Sequence, residues 1–188
     1  MNRFQIEQTL ILHGVPIHTW TSPKTKTVAD LVKEIDDREI ELVIDHEGLR
    51  RDVRIVSFVV TQGAQDRVLI EDSHILSDGT IMEHNLFPAG KIYAGEGILE
   101  ALAREMQEEL HLKMHVHYHV NSLLSSHDEY EGSRSFPGLR SRYTIYRYHI
   151  QLAPGVVIPD GMTSQIGEEK LVFRWEPSKD YADKIFEQ

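Results

Sequence analysis

One helix near the middle of the chain constrains the fold more than any other feature. Residues 97–111 carry Ile98, Leu99, Leu102, Ala103, Met106 and Leu110 at helical spacing. At 100° per residue these six side chains fall within an arc of about 140°, the apolar stripe of a helix that packs on something. The flanking sequence supplies what it packs on. Residues 53–61, 68–71, 81–87, 114–124, 139–152 and 170–175 are apolar, β-branched or alternating, and read as strands. Strands on both sides of one central helix favour a mixed α/β sandwich over a parallel doubly wound sheet, which alternates strand and helix throughout.

The first 50 residues carry weaker signals. Residues 9–12 and 17–19 read as short strands about a turn at Gly14-Val15-Pro16. Thr27 followed three residues later by Asp30 is a helix-start signal, and Val28, Leu31, Val32 and Ile35 then share one helical face. Residues 39–44 alternate as a strand, ahead of a turn at His46-Glu47-Gly48. So short a segment cannot build a core alone. It is expected to be an N-terminal extension, residues 1–50, packed on a main domain of residues 51–188 or on a partner subunit in a homodimer. Residues 62–66 read as a hairpin break, 127–137 and 154–165 as loops, and 177–186 as a short C-terminal helix.

Composition narrows the chemistry. The chain has 188 residues and no cysteine, which excludes disulfide scaffolds, thiolate metal sites and a cysteine nucleophile. Lys and Arg number 20 against 30 Asp and Glu, a formal charge of -10. That balance argues against generic binding to nucleic acid or an anionic membrane. Leu10-Ile11-Leu12 is too short for a secretory leader and follows Glu7, and no apolar run approaches the ~18 residues of a membrane span. The expectation is a cytoplasmic protein. There is no phosphate-loop motif and no His-Glu-x-x-His.

The central helix also carries an acidic face. Glu105, Glu108 and Glu109 stand at i, i+3 and i+4, within about 100° of one another. Each neighbouring pair repels by about 0.2–0.5 kcal/mol even when exposed. Arg104, four residues before Glu108, relieves part of this. Clustered carboxylate oxygens are the donor set that Mg2+ or Mn2+ requires.

Around this face the spacing is Gly90, five residues, Glu96, seven residues, then Arg104-Glu105-Met106-Gln107-Glu108-Glu109-Leu110-His111-Leu112. It resembles the Nudix box, Gly-x5-Glu-x7-Arg-Glu-U-x-Glu-Glu-x-Gly-U with U a bulky apolar residue. The one departure is His111 in place of the last glycine. The resemblance implies a Nudix-type α/β/α sandwich with a mixed sheet and the box helix, preceded by the extension. It implies that the Gly90 carbonyl and Glu105, Glu108 and Glu109 bind metal, while Arg104 and Glu96 orient the glutamates. It further implies Mg2+- or Mn2+-dependent hydrolysis of a nucleoside diphosphate linked to another moiety. The general base is then Glu105, Glu108 or a glutamate from a later loop. The alternative is a non-catalytic Nudix-fold sensor or interaction module, against which the four intact box glutamates count. The isomerase class sharing this fold relies on a cysteine, which is absent. His111 is expected at the left-handed position that ends the helix, a conformation histidine adopts at a cost of order 1 kcal/mol.

Other residues are weaker candidates. Arg134, Arg140 and Arg142 can grip phosphate oxygens, and Tyr130 can stack on a base. Glu168 and Glu169 precede the last strand and are candidates for a loop base, as is the acidic stretch from Asp128 to Glu131. His115, His117 and His119 would share one face of a strand through that segment.

Overall fold

The computed structural model describes residues 1–21, 25–61, 67–133 and 135–181, with the backbone alone described at 127 and 129–131. Among these residues the chain is a mixed α/β protein. Its helices are α1 (Arg3–Leu12), α2 (Val28–Asp36) and α3 (Ile98–Leu110). Its strands are β1 (Ile40–Asp45), β2 (Gly48–Thr61), β3 (Arg67–Ile75), β4 (Ile81–Leu86), β5 (Ala89–Lys91), β6 (Tyr118–Gly132), β7 (Arg140–Leu152), β8 (Met162–Ile166) and β9 (Glu169–Pro177). They form one sheet in the order β6-β7-β2-β3-β9-β8, with β1 and β5 pairing on β2 and β4 on β3.

The chain divides into two compact units. The first comprises residues 1–55, 91–96 and 128–145. Its core gathers Ile6 and Leu10 of α1, Trp20, Leu31 of α2, Ile40, Leu49 and Val53, together with Phe136 and Leu139 from far along the chain. Helix α1 forms because Asn2 and Gln5 make a reciprocal cap, each side chain bonding the other's backbone N–H at 2.9 Å. Ile6 and Leu10, four residues apart, are its buried face. Helix α2 starts as its sequence suggests, with Thr27 and Asp30 as the capping pair. The Trp20 indole N–H donates to the Pro137 carbonyl at 2.9 Å, which satisfies the one polar group of a buried ring. Strands β1 and β2 pair antiparallel from Ile40↔Val53 to Asp45↔Gly48.

A buried glutamate anchors α2 within this unit. Glu34 lies 3.1 Å from Lys91 and 3.4 Å from Arg51, with Lys26 at 2.5 Å. Burial pushes its carboxyl up, but Lys91, Lys26 and Arg51 outweigh that and hold it below the usual range. Arg51 in turn lies 5.1 Å above the Phe136 ring and donates to the Tyr143 hydroxyl at 2.8 Å.

The second unit comprises residues 56–90, 97–127 and 146–188. Val56, Phe58, Val59 and Val60 of β2 and Val68, Leu69 and Ile70 of β3 are buried on consecutive positions, as in a strand covered on both faces. Helix α3 buries Ala101, Leu102, Met106 and Leu110. The Ser164 hydroxyl of β8 donates to the Glu108 carbonyl at 3.3 Å. Strand β3 pairs antiparallel with β9, but the register slips: Glu71 faces Phe173 and Ser73 faces Val172. Asp72 is therefore an extra residue, a β-bulge.

Several local expectations are corrected. Residues 9–12 are the last turn of α1, because the Asn2–Gln5 cap and the i, i+4 pair of Ile6 and Leu10 outweigh a short apolar run. Ile17–Thr19 is a 3-10 turn, not a strand. Strand β6 begins at Tyr118, four residues later than expected, and runs on to Gly132 through a stretch expected to be loop. Met162–Ile166 is a strand rather than loop. Within the helix expected at 177–186, Ser178–Tyr181 is a 3-10 helix, and residues 182–186 lie outside the described residues. The hairpin break expected at 62–66 lies outside the described residues.

Candidate active site

The acidic face of α3 is built by helical spacing and then desolvated by packing. Glu105 is 8 % exposed and Glu109 5 %, although both are charged types that ordinarily stay in water. Glu108 points outward, with 55 % of its side chain exposed. Arg104 donates to Glu105 Oε1 at 2.6 Å and to Glu108 Oε2 at 3.4 Å, so one guanidinium holds two of the three carboxylates.

Gly90 makes room for this arrangement. A Cβ at that position would lie 1.8 Å from Glu105 Cδ and 2.0 Å from its Oε1. The glutamate carboxyl therefore rests directly against the Gly90 backbone, and any side chain there would displace it. Glu96, in the first unit, accepts from the Tyr93 N–H at 3.0 Å.

Glu109 is the least satisfied group. Its Oε2 is buried with no hydrogen-bond partner among the described residues. Burial pushes its carboxyl well above the usual range, and the charges of Glu105, Glu71 and Glu108 add to the effect, with Arg104 opposing. An orphaned buried carboxylate oxygen among three other carboxylates matches what a divalent cation requires: oxygen donors, an excess of negative charge and an unsaturated ligand atom. The residues present thus fit Mg2+ or Mn2+.

Glu71 has no counterpart in the sequence reading. It stands on β3, 8 % exposed, and accepts from His84 of β4 at 2.6 Å. That bond is the main reason His84 is held above its ordinary pKa, with burial opposing. His74 approaches Glu169 at 2.7 Å. Glu71, His74 and His84 place one ligand atom each within 4.8 Å of one another. No regular strand pattern could have signalled this set, since residues 71 and 74 would face opposite sides without the bulge.

The end of α3 also follows its sequence. His111 has φ 57° and ψ 28°, the left-handed conformation that closes a helix. The Met106 carbonyl accepts the Leu112 N–H at 3.0 Å.

The remaining candidates fall elsewhere. Arg140 pairs with Asp45 and Glu47, and Arg142 with Asp52, all within the first unit. Arg140 lines a cavity of about 550 Å³ there, together with Asp45, His46, Glu47 and Arg50. Both guanidiniums are thus paired with carboxylates. Arg134 lies outside the described residues, and Tyr130 is described by its backbone alone, in β6. Glu168 is exposed at the turn between β8 and β9, and Glu169 begins β9. Asp128 accepts from the Thr144 hydroxyl at 2.6 Å. His115, His117 and His119 do not share a strand face. His115 is left-handed at φ 62°, and His117 Nδ1 accepts the Lys113 N–H at 3.0 Å in a turn ahead of β6.

Among the described residues no helix is long and apolar enough to cross a membrane. Residues 50–187 match the NUDIX domain family. Among solved structures, a NUDIX hydrolase from Nitrosomonas europaea is 19% identical, with 71% of this chain and 77% of that chain covered and a TM-score of 0.43. An Ap4A hydrolase from C. elegans, solved as a binary complex, is 16% identical over 72% of this chain and 87% of that one, also at 0.43. No curated protein matches the chain in sequence.

Proposed function

The chain belongs to the NUDIX domain family, and from that premise we propose that it is a divalent-metal-dependent pyrophosphohydrolase. Its substrate in this reading is a nucleoside diphosphate linked to another moiety, cut by attack of water at phosphorus. The observation that carries the proposal is Glu109, whose buried Oε2 has no partner among the described residues while burial, and then Glu105, Glu71 and Glu108, raise its proton affinity. A fold retains so costly a group where something absent from the bare chain satisfies it.

Glu105, Glu108, Glu109 and the Gly90 carbonyl would hold Mg2+ or Mn2+. When bound, the cation supplies positive charge to the diphosphate and acidifies water. The chain's own residues divide the remaining work. Gly90 leaves the space in which the Glu105 carboxyl lies. Arg104 fixes Glu105 at 2.6 Å and so limits its rotation. Glu108 is the better placed proton acceptor, because its carboxylate is more than half exposed and Arg104 holds it only loosely, at 3.4 Å. Burial of Glu105 and Glu109 keeps local solvent out, which strengthens every charge interaction there.

Turnover on a panel of sugar nucleotides, dinucleoside polyphosphates and nucleoside triphosphates tests the reading, with products identified. Hydrolysis should require added Mg2+ or Mn2+ and stop in excess chelator. The Glu108→Gln variant should lose about 10^2–10^3 in rate. Undiminished turnover in chelator would overturn the metal chemistry. Nucleotide binding without turnover, by protein that has metal bound, would favour the sensor reading.

A further inference from the structure

We propose that Glu71, His74 and His84, joined by Glu169, form a second cation site, one that takes a divalent transition metal of the zinc class. The three principal ligand atoms come from β3 and β4 and lie within 4.8 Å of one another. Glu71 Oε1 is 2.6 Å from His84 Nδ1, and Glu169 Oε2 is 2.7 Å from His74 Nε2. The His74 and His84 rings meet edge to face with centroids 5.6 Å apart. Two imidazoles and one carboxylate, with Glu169 beside His74 at 2.7 Å, are a donor set for Zn2+, Co2+ or Mn2+ and a poor one for Mg2+, which prefers oxygen alone. Bonds of about 2.1 Å put tetrahedral ligands about 3.4 Å apart, so small side-chain rotations close the site.

The backbone is shaped for this convergence. Residues 71 and 74 are three apart and would point to opposite faces of a regular strand. The bulge at Asp72 removes one step of the alternation and turns Glu71 and His74 to the same side. The register of β4 shifts at the same place, and Asn85, next to His84, is left-handed at φ 53°. Arg174 of β9 holds both irregularities, Asp72 Oδ1 at 2.8 Å and Asn85 Oδ1 at 2.6 Å. Two distortions in neighbouring strands, clamped by one arginine, place His84 on buried Glu71 and bring His74 within 4.8 Å of both. Bulges of this kind re-aim side chains at functional sites.

This site differs from the acidic face of α3 in chemistry, and its test does not depend on activity. Co2+ is added to the full chain in excess Mg2+, and binding is read from the visible absorption of nitrogen-ligated cobalt and from stoichiometry. Wild type should take up one equivalent that Mg2+ does not displace. His74→Ala and His84→Gln should each weaken it at least about tenfold, whereas His117→Ala and Glu108→Gln should leave it unchanged. Melting in chelator reports whether each variant is folded. Cobalt uptake that is unaffected in folded His74 and His84 variants overturns the proposal, as does complete displacement by Mg2+. Because Glu108→Gln keeps this site, a failure of the hydrolase reading and a failure of this one give different results.

Discussion

Replacing Glu109 with glutamine separates the requirements of folding from those of catalysis. In the metal-free protein at pH 7, folding must either bury the Glu109 charge or bind a proton to it. The second route sets a ceiling on the penalty. Each pH unit between the ordinary carboxyl value of 4.5 and the solution costs about 1.36 kcal/mol, so at pH 7 the ceiling is about 3.4 kcal/mol. An unpartnered buried polar group costs about 1–3 kcal/mol by a separate argument. Glutamine has the same shape, carries no charge, and offers an amide that can donate to the neighbouring carboxylates. Glu109→Gln should therefore stabilise the metal-free protein by about 2 kcal/mol, which for a chain of this size raises Tm by roughly 4–8 °C.

The sign of the pH effect follows. The folded pKa of Glu109 is raised, so its favourable state is fully present below the unfolded value, and stability is lost as pH climbs from 4.5 toward the folded value. The gap between variant and wild type should open as pH rises and close as it falls to about 4.5. The assay is paired thermal melting in chelator between pH 4.5 and 7.5, with turnover in metal measured alongside. Activity should fall about 10^2–10^3 if this oxygen serves the cation. A variant that melts lower than wild type at pH 7, or whose difference does not change with pH, would refute the account of Glu109 as an unsatisfied buried acid.

Gly90→Ala should cut turnover by at least about tenfold, because the new methyl occupies the space of the Glu105 carboxyl; paired melting should show a smaller effect on stability, since only one side chain must move. His111→Gly should keep activity and gain up to about 1 kcal/mol in a melting assay, because glycine adopts φ 57° without strain. Leu10→Ala should cost about 2–5 kcal/mol in denaturant unfolding, because that side chain is fully buried among Ile6, Trp20 and Leu31. Asn2→Ala should cost about 1 kcal/mol in the same assay through loss of the α1 cap.

What the sequence made legible was local. The left-handed His111 follows from the resemblance to the Nudix box, which has a glycine there, whereas helix α3 and its acidic face follow from spacing within about 15 residues, where 3.6-residue periodicity decides the outcome. The Thr27 cap was readable for the same reason. The Asn2–Gln5 cap was equally present, but the apolar run at residues 9–12 drew the reading toward a strand. The histidine-bearing turn before β6 escapes the sequence pattern because alternation continues through it, while the Lys113–His117 hydrogen bonds and the left-handed His115 bend the backbone away. Partners distant in sequence could not be read at all. The pairing of Arg140 and Arg142 with Asp45, Glu47 and Asp52 joins residues 90 to 95 positions apart, which no local pattern announces. Glu71 was invisible because its face depends on one extra residue in β3, and no periodic pattern announces a bulge.

The first unit draws on residues 1–55, 91–96 and 128–145. During synthesis, α1 and α2 leave the ribosome long before Phe136 and Leu139, the side chains that complete their core. The packing around Ile6, Leu10 and Leu31 is incomplete until Phe136 and Leu139, about three-quarters of the way along these 188 residues, have been made. Helices α1 and α2 precede these partners by at least 100 residues, so a chain stalled before residue 136 presents their apolar faces to chaperones and proteases. Arrest near the end of β6 and arrest after β7 should give nascent chains of sharply different protease sensitivity at α1.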